Sequence, residues 1–399
     1  MRKKLKIGIL GLGYVGLPIF LSLKNKFETI GFDIDQNRIL GLKKGYDKNN
    51  EFNSQQLHTN KKSYYSNDLK DLQECNFYIV TVPTPVNLDK EPNFKPLFSA
   101  CSILKNVTSN HDIVFFESTV YPGTTKFLKK KFFNKKQLTF GYSPERINPG
   151  DKINTLKKIK KIVSLEKFDK NLKKKVFSVY KNIANNLVFS NSIENAEMSK
   201  VIENIQRDIN IAFMNEILMV CEKLHLNFKE VINLAKTKWN FLDFSPGLVG
   251  GHCLPVDPYY LYTLAKKKGL NAKFMLAGRQ VNDSLVKFIE KEILNKINKI
   301  KNKKILLCGL TYKANVSDIR NSLALKIFEN LSKKIKVDAF DPIINLVEIH
   351  NLNIKNKIND LSKYGLIVIL VDHFSFLNQI KKHKIKNEKK YYDPFFLLS

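Results

Sequence analysis

Cys253 sits in Gly250-Gly251-His252-Cys253-Leu254-Pro255-Val256-Asp257-Pro258, a glycine-rich turn with a carboxylate four residues after the thiol. A thiolate adds to an aldehyde to give a thiohemiacetal, a good hydride donor that is left as a thioester. His252 is placed to lower the thiol pKa. Gly250 and Gly251 let backbone come close to a ligand. A single cysteine is more often a small buried hydrophobe, so the reading needs a hydride acceptor elsewhere. Gly11-Leu12-Gly13-Tyr14-Val15-Gly16 supplies a candidate. Its GxGxxG spacing permits a tight turn, close approach to a pyrophosphate and helix–strand packing. It follows an apolar run and opens an amphipathic one. Asp33 comes 22 residues after Gly11, where a carboxylate accepts from ribose hydroxyls and repels a 2′-phosphate. NAD is therefore expected over NADP. A thiol and a dinucleotide together can carry an alcohol through to an acid.

Further polar groups fall where strands should end. Thr81-Val82-Pro83-Thr84-Pro85 and Glu117-Ser118-Thr119-Val120-Tyr121-Pro122-Gly123 each follow an apolar run, and ligands bind at strand carboxyl ends in open α/β sheets. Plain turn chemistry is the other reading of such loops. Tyr142-Ser143-Pro144-Glu145-Arg146 sets a carboxylate beside an arginine. Glu145 can orient a water or act as a base; a local ion pair is the alternative. Lys200, Asn204, Arg207 and Asp208 stand at i, i+4, i+7 and i+8 and are expected on one helix face. Lys200 and Asn204 can donate to a developing oxyanion; a solvated polar face is the alternative.

The elements that must position these groups alternate. Residues 5–10, Glu28 to Phe32, Phe77 to Val82 and Ile113 to Glu117 read as strands, with helical patterns between them. Asn195 to Leu224 reads as one long helix, and helical patterns continue to about Lys299, broken around Gly247–Pro258. Strands resume at Lys304 to Cys308, Val337 to Phe340 and Leu366 to Val371. The expected fold is α/β: two Rossmann-like, doubly wound parallel-sheet domains joined by a long helix and a helical central region. The expected boundaries are 1–192 for an NAD-binding domain, 193–298 for a helical dimerisation region and 299–399 for the second lobe. Gly309-Leu310-Thr311-Tyr312 lacks a full fingerprint, so the second lobe need not bind a dinucleotide.

The 399 residues carry a net charge of +30. The lysines are dispersed and no nucleic-acid motif accompanies them, so the charge reads as a compositional bias rather than a nucleic-acid or membrane surface. Arginine is rare: Arg2, Arg38, Arg146, Arg207, Arg279 and Arg320. Such a chain keeps arginine where a bidentate fork matters. The five cysteines are far apart and lack metal-ligand spacing, so neither disulfides nor a metal are expected. The basic start followed by Leu5 to Leu23 superficially resembles a signal peptide. Lys6 interrupts it and it contains the glycine fingerprint, so a cytoplasmic protein is expected.

Together these residues identify a resemblance to the UDP-glucose/GDP-mannose dehydrogenase family, and most to its bacterial UDP-N-acetylhexosamine 6-dehydrogenases of capsule, Vi-antigen and O-antigen synthesis. It runs through GLGYVGLP, ESTVYPGTT, GYSPERINPGDK, KVIENIQRDINIAFMNE, TKWNFL, PGLVGGHCLPVDPYYL, AGRQVND and DIRNS, and weakens after about residue 345. The resemblance implies a four-electron oxidation of C6 of UDP-GlcNAc or UDP-GalNAc to the uronic acid, with two NAD per product. Cys253 is then the nucleophile, Lys200 and Asn204 the oxyanion-stabilising pair, and Asp257 and Glu145 the base or water-orienting carboxylates. Thr119 lies near cofactor and substrate. Gly11, Gly13, Tyr14, Val15, Gly16, Asp33, Arg38, Thr84, Thr119 and Arg320 are the expected cofactor residues. Glu145, Arg146, Lys200, Asn204, Arg207, Gly247, Gly250, Gly251 and Lys313 are expected at the substrate. A homodimer or higher oligomer is implied. Glucose-specific members usually have Ser before the nucleophile and Lys before the aspartate; His252 and Val256 stand there instead, which points away from UDP-glucose. UDP-glucose, UDP-ManNAc and GDP-mannose remain the alternatives. Relatives more often carry Ile-Gly where this chain has Leu254-Pro255, which stiffens the backbone after the thiol.

Overall fold

A computed structural model describes the chain except residues 1–3, 88–90, 148–150, 152, 168, 252–253, 345–353, 359, 387 and 399. The chain divides into two compact units, Met1–Glu203 with Tyr259–Leu264, and Asn204–Pro258 with Ala265–Ser399.

The first unit is built on eight strands: β1 Lys6–Leu10, β2 Glu28–Phe32, β3 Ser63–Ser66, β4 Phe77–Val80, β5 Ile113–Phe116, β6 Thr139–Tyr142, β7 Lys160–Leu165 and β8 Asn186–Ser190. Their order is β3-β2-β1-β4-β5-β6-β7-β8. Pairings are parallel except β6 with β7, which run antiparallel with Gly141 opposite Leu165 and Tyr142 opposite Ser164. Cores cover both faces of this sheet, one around Leu10, Val80, Leu104 and Phe116, the other around Ile9, Phe20, Ile79 and Phe115. That double burial is why β4 and β5 read as continuous apolar runs.

The turn after β1 needs its glycines. Gly11 has φ +95°, which a side chain rarely tolerates. A Cβ on Gly16 would lie 1.8 Å from the Gly11 carbonyl oxygen. The helix Gly16–Leu23 thus starts in direct contact with the turn.

The second unit holds β9 Ile305–Cys308, β10 Val337–Phe340, β11 Ile354–Lys355, β12 Leu366–Ile369 and β13 Tyr391–Tyr392, in the order β11-β10-β9-β12-β13 and all parallel. One core joins this sheet to the helices Phe228–Ala235 and Lys273–Asn298 and to Met214, Leu218 and Cys221 of the long helix. That long helix is Ile193–Leu224. Among the described residues, no helix is long and apolar enough to cross a membrane.

Gly16→Ala is expected to lower stability by about 3 kcal/mol or more, because its Cβ meets backbone rather than a movable side chain. Thermal melting would show it as a drop in Tm, accompanied by loss of dinucleotide binding.

Candidate active site

The glycine turn is braced from below. Leu12 N donates to Asp33 Oδ2 at 2.8 Å, and Asp35 N to Asp33 Oδ1 at 3.0 Å. Arg38 Nε donates to the Leu12 carbonyl at 2.9 Å, and its Nη1 pairs with Asp47 at 2.7 Å. The Arg38 Nη2 is buried with no partner among the described residues, leaving one donor to spare beside the turn. Gly13 is exposed, with open space where a Cβ would stand. Tyr14 and Val15 are half-buried, and no side chain caps the helix that follows. Leu17 N and Ile19 N of that helix donate to the Gly13 and Val15 carbonyls at 3.3 and 3.4 Å and Pro18 has no N–H, which leaves Gly16 N among its first four positions for an anion. An open glycine cradle, a half-buried Asp33 and a spare donor together fit a dinucleotide.

The next two strand ends are tied together. Thr84 Oγ1 donates to the Thr119 carbonyl at 2.7 Å, and Ser118 Oγ to the Val82 carbonyl at 2.6 Å. Tyr260 OH donates to the Thr84 carbonyl at 2.5 Å. These bonds hold Thr84 and Thr119 as neighbours at the carboxyl edge, both half-buried.

Glu145 and Arg146 do not pair through their side chains. The guanidinium of Arg146 turns to Glu203 (2.9 Å) and the Lys160 carbonyl (3.0 Å). Glu145 Oε1 accepts from Arg146 N and Ile147 N, both at 2.6 Å. Its Oε2 accepts from Lys161 Nζ at 2.6 Å, and Lys161 also donates to Glu117 Oε2 at 2.6 Å. Tyr180 OH donates to Glu117 Oε1 at 2.8 Å. The Lys161 and Glu117 side chains are wholly buried. Burial pushes the Glu117 carboxyl up to about 7, further than Lys161 can pull it back. Burial works on Glu145 too, but the Lys161 ammonium and two backbone N–H groups hold it below the ordinary carboxylate value.

Along the long helix, Glu197, Lys200, Asn204, Asp208 and Asn215 are buried while Arg207 is exposed. The expected shared face therefore loses Arg207: seven residues is nearly two turns, but the buried stripe runs through 204 and 208, and 207 falls beside it. Glu197 accepts from Gly123 N, Thr125 N and Thr125 Oγ1 at 2.6, 2.8 and 2.7 Å. It caps the helix Thr124–Phe132 in place of a local side chain. Lys200 is 8% exposed, and among the described residues its ammonium has no hydrogen bond or ion pair. The ammonium itself is not among the enclosed unpartnered atoms, so it is reachable at this position.

In the second unit, Asn204 Nδ2 donates to Asp257 Oδ2 at 2.5 Å. Asp257 is buried and opens the helix Asp257–Lys267. Asn215 grips Gly247 twice, donating to its carbonyl at 3.0 Å and accepting from its N–H at 2.8 Å. Gly250 and Gly251 do allow a close approach, but of the chain itself. A Cβ on Gly250 would meet the Asn321 carbonyl at 2.5 Å, and one on Gly251 the Tyr312 ring at 2.8 Å. Asn321 Nδ2 also donates to the Gly251 carbonyl at 3.1 Å. Lys313 is half-buried on the same segment. Arg320 is exposed and forks onto Asp318, with Nη2 to Oδ2 at 2.6 Å. His252 and Cys253 lie outside the described residues.

Three segments match domain models of the UDP-glucose/GDP-mannose dehydrogenase family: the NAD binding domain over residues 5–184, the central domain over 194–284 and the UDP binding domain over 306–396. The chain is similar to a UDP-N-acetyl-D-glucosamine 6-dehydrogenase of Salmonella typhi, 38% identical across 94% of this chain and 91% of that one. One of the same name from Pseudomonas aeruginosa is 39% identical across 94% and 92%. A solved UDP-D-ManNAc dehydrogenase from Pyrococcus horikoshii superposes with a TM-score of 0.83 at 27% identity, covering 99% of this chain and 96% of that one.

Sequence reasoning passed over Lys161, Tyr180, Glu197 and Asn215. Lys161 was hidden in a lysine-rich background. Glu197 and Asn215 had a signal, because 197, 200, 204, 208 and 215 recur at helical spacing. Asn215→Ala is expected to cost about 1–3 kcal/mol by leaving the Gly247 N–H and carbonyl unpaired. Urea unfolding measures it, and Asn215→Asp, which sets a buried carboxylate against the Gly247 carbonyl oxygen and the Asn282 side-chain oxygen, should cost more than Asn215→Ala.

Proposed function

The chain belongs to the UDP-glucose/GDP-mannose dehydrogenase family, and from that premise we propose that it oxidises C6 of a UDP-N-acetylhexosamine, UDP-GlcNAc or UDP-GalNAc, to the uronic acid for surface polysaccharide synthesis. It is an NAD-dependent nucleotide-sugar 6-dehydrogenase, an oxidoreductase. The sugar assignment is carried by the similarity, along 94% of the chain, to two proteins named for UDP-N-acetyl-D-glucosamine. His252 and Val256, in place of the Ser and Lys of glucose-specific members, support it. UDP-ManNAc is the second reading, favoured by the fold match to the Pyrococcus horikoshii enzyme.

Bound NAD supplies the hydride acceptor for both oxidations. The Gly11–Gly16 turn, Asp33 and Arg38 hold it, with Thr84 and Thr119 at the neighbouring strand ends. Lys200 and Asn204 stabilise negative charge on the C6 oxygen. The Cys253 sulfur bonds C6 at the aldehyde level, first as a thiohemiacetal and then as a thioester. Glu145 orients the water that releases the acid, and Asp257, bonded to Asn204, serves as the second carboxylate. Lys313 and the backbone at Gly247, Gly250 and Gly251 hold the nucleotide diphosphate and sugar. In this reading the NAD domain is 1–192, the thiol loop and dimer surface lie in 193–298, and the UDP domain is 299–399.

Phe213 and Trp239, 53% and 89% exposed, are large apolar groups left uncovered in the second unit. They support a homodimer. Trp239→Asp is expected to give a monomer by light scattering after gel filtration; an unchanged mass would remove that surface from the dimer.

Cys253→Ser should abolish uronic acid formation, with the wild type producing two NADH per product. Comparison of kcat/KM for UDP-GlcNAc, UDP-GalNAc, UDP-ManNAc and UDP-glucose, followed at the NADH absorbance, decides the sugar. An N-acetylglucosamine or N-acetylgalactosamine preference is expected; a higher value for UDP-ManNAc or UDP-glucose would replace the assignment.

A further inference from the structure

Lys161 stands on β7, yet its ammonium lies at the carboxyl edge of the sheet. The antiparallel pairing of β7 with β6 explains this. It brings the start of β7 level with the ends of β5 and β6, beyond which Glu117 and Glu145 lie. Lys161 Nζ bridges the two carboxylates, 2.6 Å from each. The groups facing this ammonium are Glu117 beyond β5, Glu145 beyond β6, and Tyr180 of the helix Lys170–Tyr180 through its bond to Glu117. Arg146 is adjacent, with its guanidinium committed to Glu203 on the long helix.

We propose that Lys161 is a positioning residue, holding the Glu145 carboxylate as an anion with one acceptor site open, so that Glu145 orients a water and does not take its proton. The proposal rests on the role given to Glu145 above.

The count of acceptor sites carries the argument. A carboxylate offers about four lone-pair sites. Two N–H groups fill Oε1 of Glu145 and Lys161 fills one site on Oε2. One site on Oε2 remains, on a side chain that keeps 7% of its surface exposed. The trio of Glu117, Lys161 and Glu145 has one negative charge in excess. A proton added to it goes to Glu117, which has no backbone N–H donor and accepts only from Lys161 and Tyr180 among the bonds described here. The low pKa direction of Glu145 and the raised one of Glu117 agree with that partition. A carboxylate so held is a weak base near neutrality and a firm acceptor. In the hydrolysis that ends the reaction, the water oxygen bonds C6 and the C–S bond breaks with its electron pair on sulfur. One proton returns to the Cys253 sulfur and the other goes to solvent. Glu145 accepts a hydrogen bond throughout.

The test compares wild type, Lys161→Met, the double variant Lys161→Met with Glu117→Gln, and Glu145→Gln. Each is assayed with UDP-GlcNAc and NAD across pH, with acid-quenched intact mass to detect the covalent thioester. Melting and NAD binding report folding. The double variant removes opposite charges together, and so keeps a folded protein if Lys161→Met alone does not. Both Lys161 variants are expected to move the acid limb of kcat up by about one pH unit or more. Inside the shifted limb kcat should fall roughly tenfold, with a smaller loss at pH 7 where the carboxylate is ionised again, the sugar-nucleotide KM should change less than about threefold, and the thioester should accumulate. A uniform loss of kcat at every pH, with no thioester build-up, would reduce Lys161 to a structural group and overturn the proposal. Wild-type turnover by Glu145→Gln would sink the role of Glu145 itself, a separate outcome.

Discussion

A lysine ammonium inside a sheet must find anions, and four elements of the first unit are arranged around that requirement at Lys161. Isolated, a buried charge of this kind costs several kcal/mol, and stripping one partner from a buried pair typically costs about 3–5 kcal/mol. The chain meets the requirement with Glu117 after β5 and Glu145 after β6, and steadies Glu117 with Tyr180 from a helix on the sheet's face. All of this depends on the reversal at β7. Had β7 continued the parallel order, its first residues would lie at the opposite edge, and Lys161 would face no carboxylate from these strand ends. One antiparallel pairing thus converts a strand lysine into a fixed feature of the edge where an open α/β sheet binds ligands.

The two units use the same device for different ends. In each, a glycine of positive φ follows the first strand, Gly11 at +95° and Gly309 at +81°. In each, the next N–H donates to an aspartate ending the neighbouring strand: Leu12 to Asp33 at 2.8 Å, Leu310 to Asp341 at 2.7 Å. The difference lies in what else the aspartate does. Asp33 is half-buried and keeps capacity for a ribose. Asp341 is wholly buried, and both its oxygens are engaged by Leu310, Thr311, Ile343, Ile344 and His373. His373 accepts from Asn315 N at Nδ1 (2.9 Å), so its Nε2 carries the proton donated to Asp341. A saturated aspartate with a histidine against it leaves no place for an adenosine ribose. The missing second and third glycines of the Gly309 turn anticipated that; the histidine plug was not visible in the sequence.

What could be read beforehand follows from how each element buries itself. β2 and β10 match their expected limits although neither is continuously apolar, Glu-Thr-Ile-Gly-Phe and Val-Asp-Ala-Phe; an aspartate, Asp33 or Asp341, follows each at once and marks its end. β3, Ser-Tyr-Tyr-Ser, gives no apolar run: it is an edge strand whose Ser63 and Tyr65 donate to the Lys24 and Leu57 carbonyls and whose Tyr64 and Ser66 donate to the Asp71 carboxylate. β7 opens Lys160-Lys161, which reads as solvated surface in a chain with so many lysines. Only the tertiary pairing shows that Lys160 is exposed and Lys161 is not. Gly250 and Gly251 were legible as a close approach, but the group approaching is Tyr312 and Asn321, some sixty residues on, and no local pattern reports a contact of that range.

The long helix shows how such readings can be sharpened by asking where each buried polar group finds its partner. Glu197 caps the Gly123 turn, Asn204 holds Asp257, Asp208 holds Arg279 at 2.5 Å, and Asn215 holds Gly247. Each is a fixed joint between the helix and a neighbouring segment, which for Asp208 is the helix Lys273–Asn298. Lys200, in the same stripe, is the exception: buried to a similar degree and joined to nothing described. A polar residue buried for architecture is satisfied by the architecture. Asp208 keeps its Oδ2 buried without a partner among the described residues, whereas the Lys200 ammonium is unpartnered there but not enclosed, and an ammonium so placed is open to an anionic ligand. In the proposed reaction the oxygen on C6 becomes anionic as its alcohol is oxidised and again as water adds to a thioester. The role proposed for Lys200 thus fits a side chain that makes none of these joints.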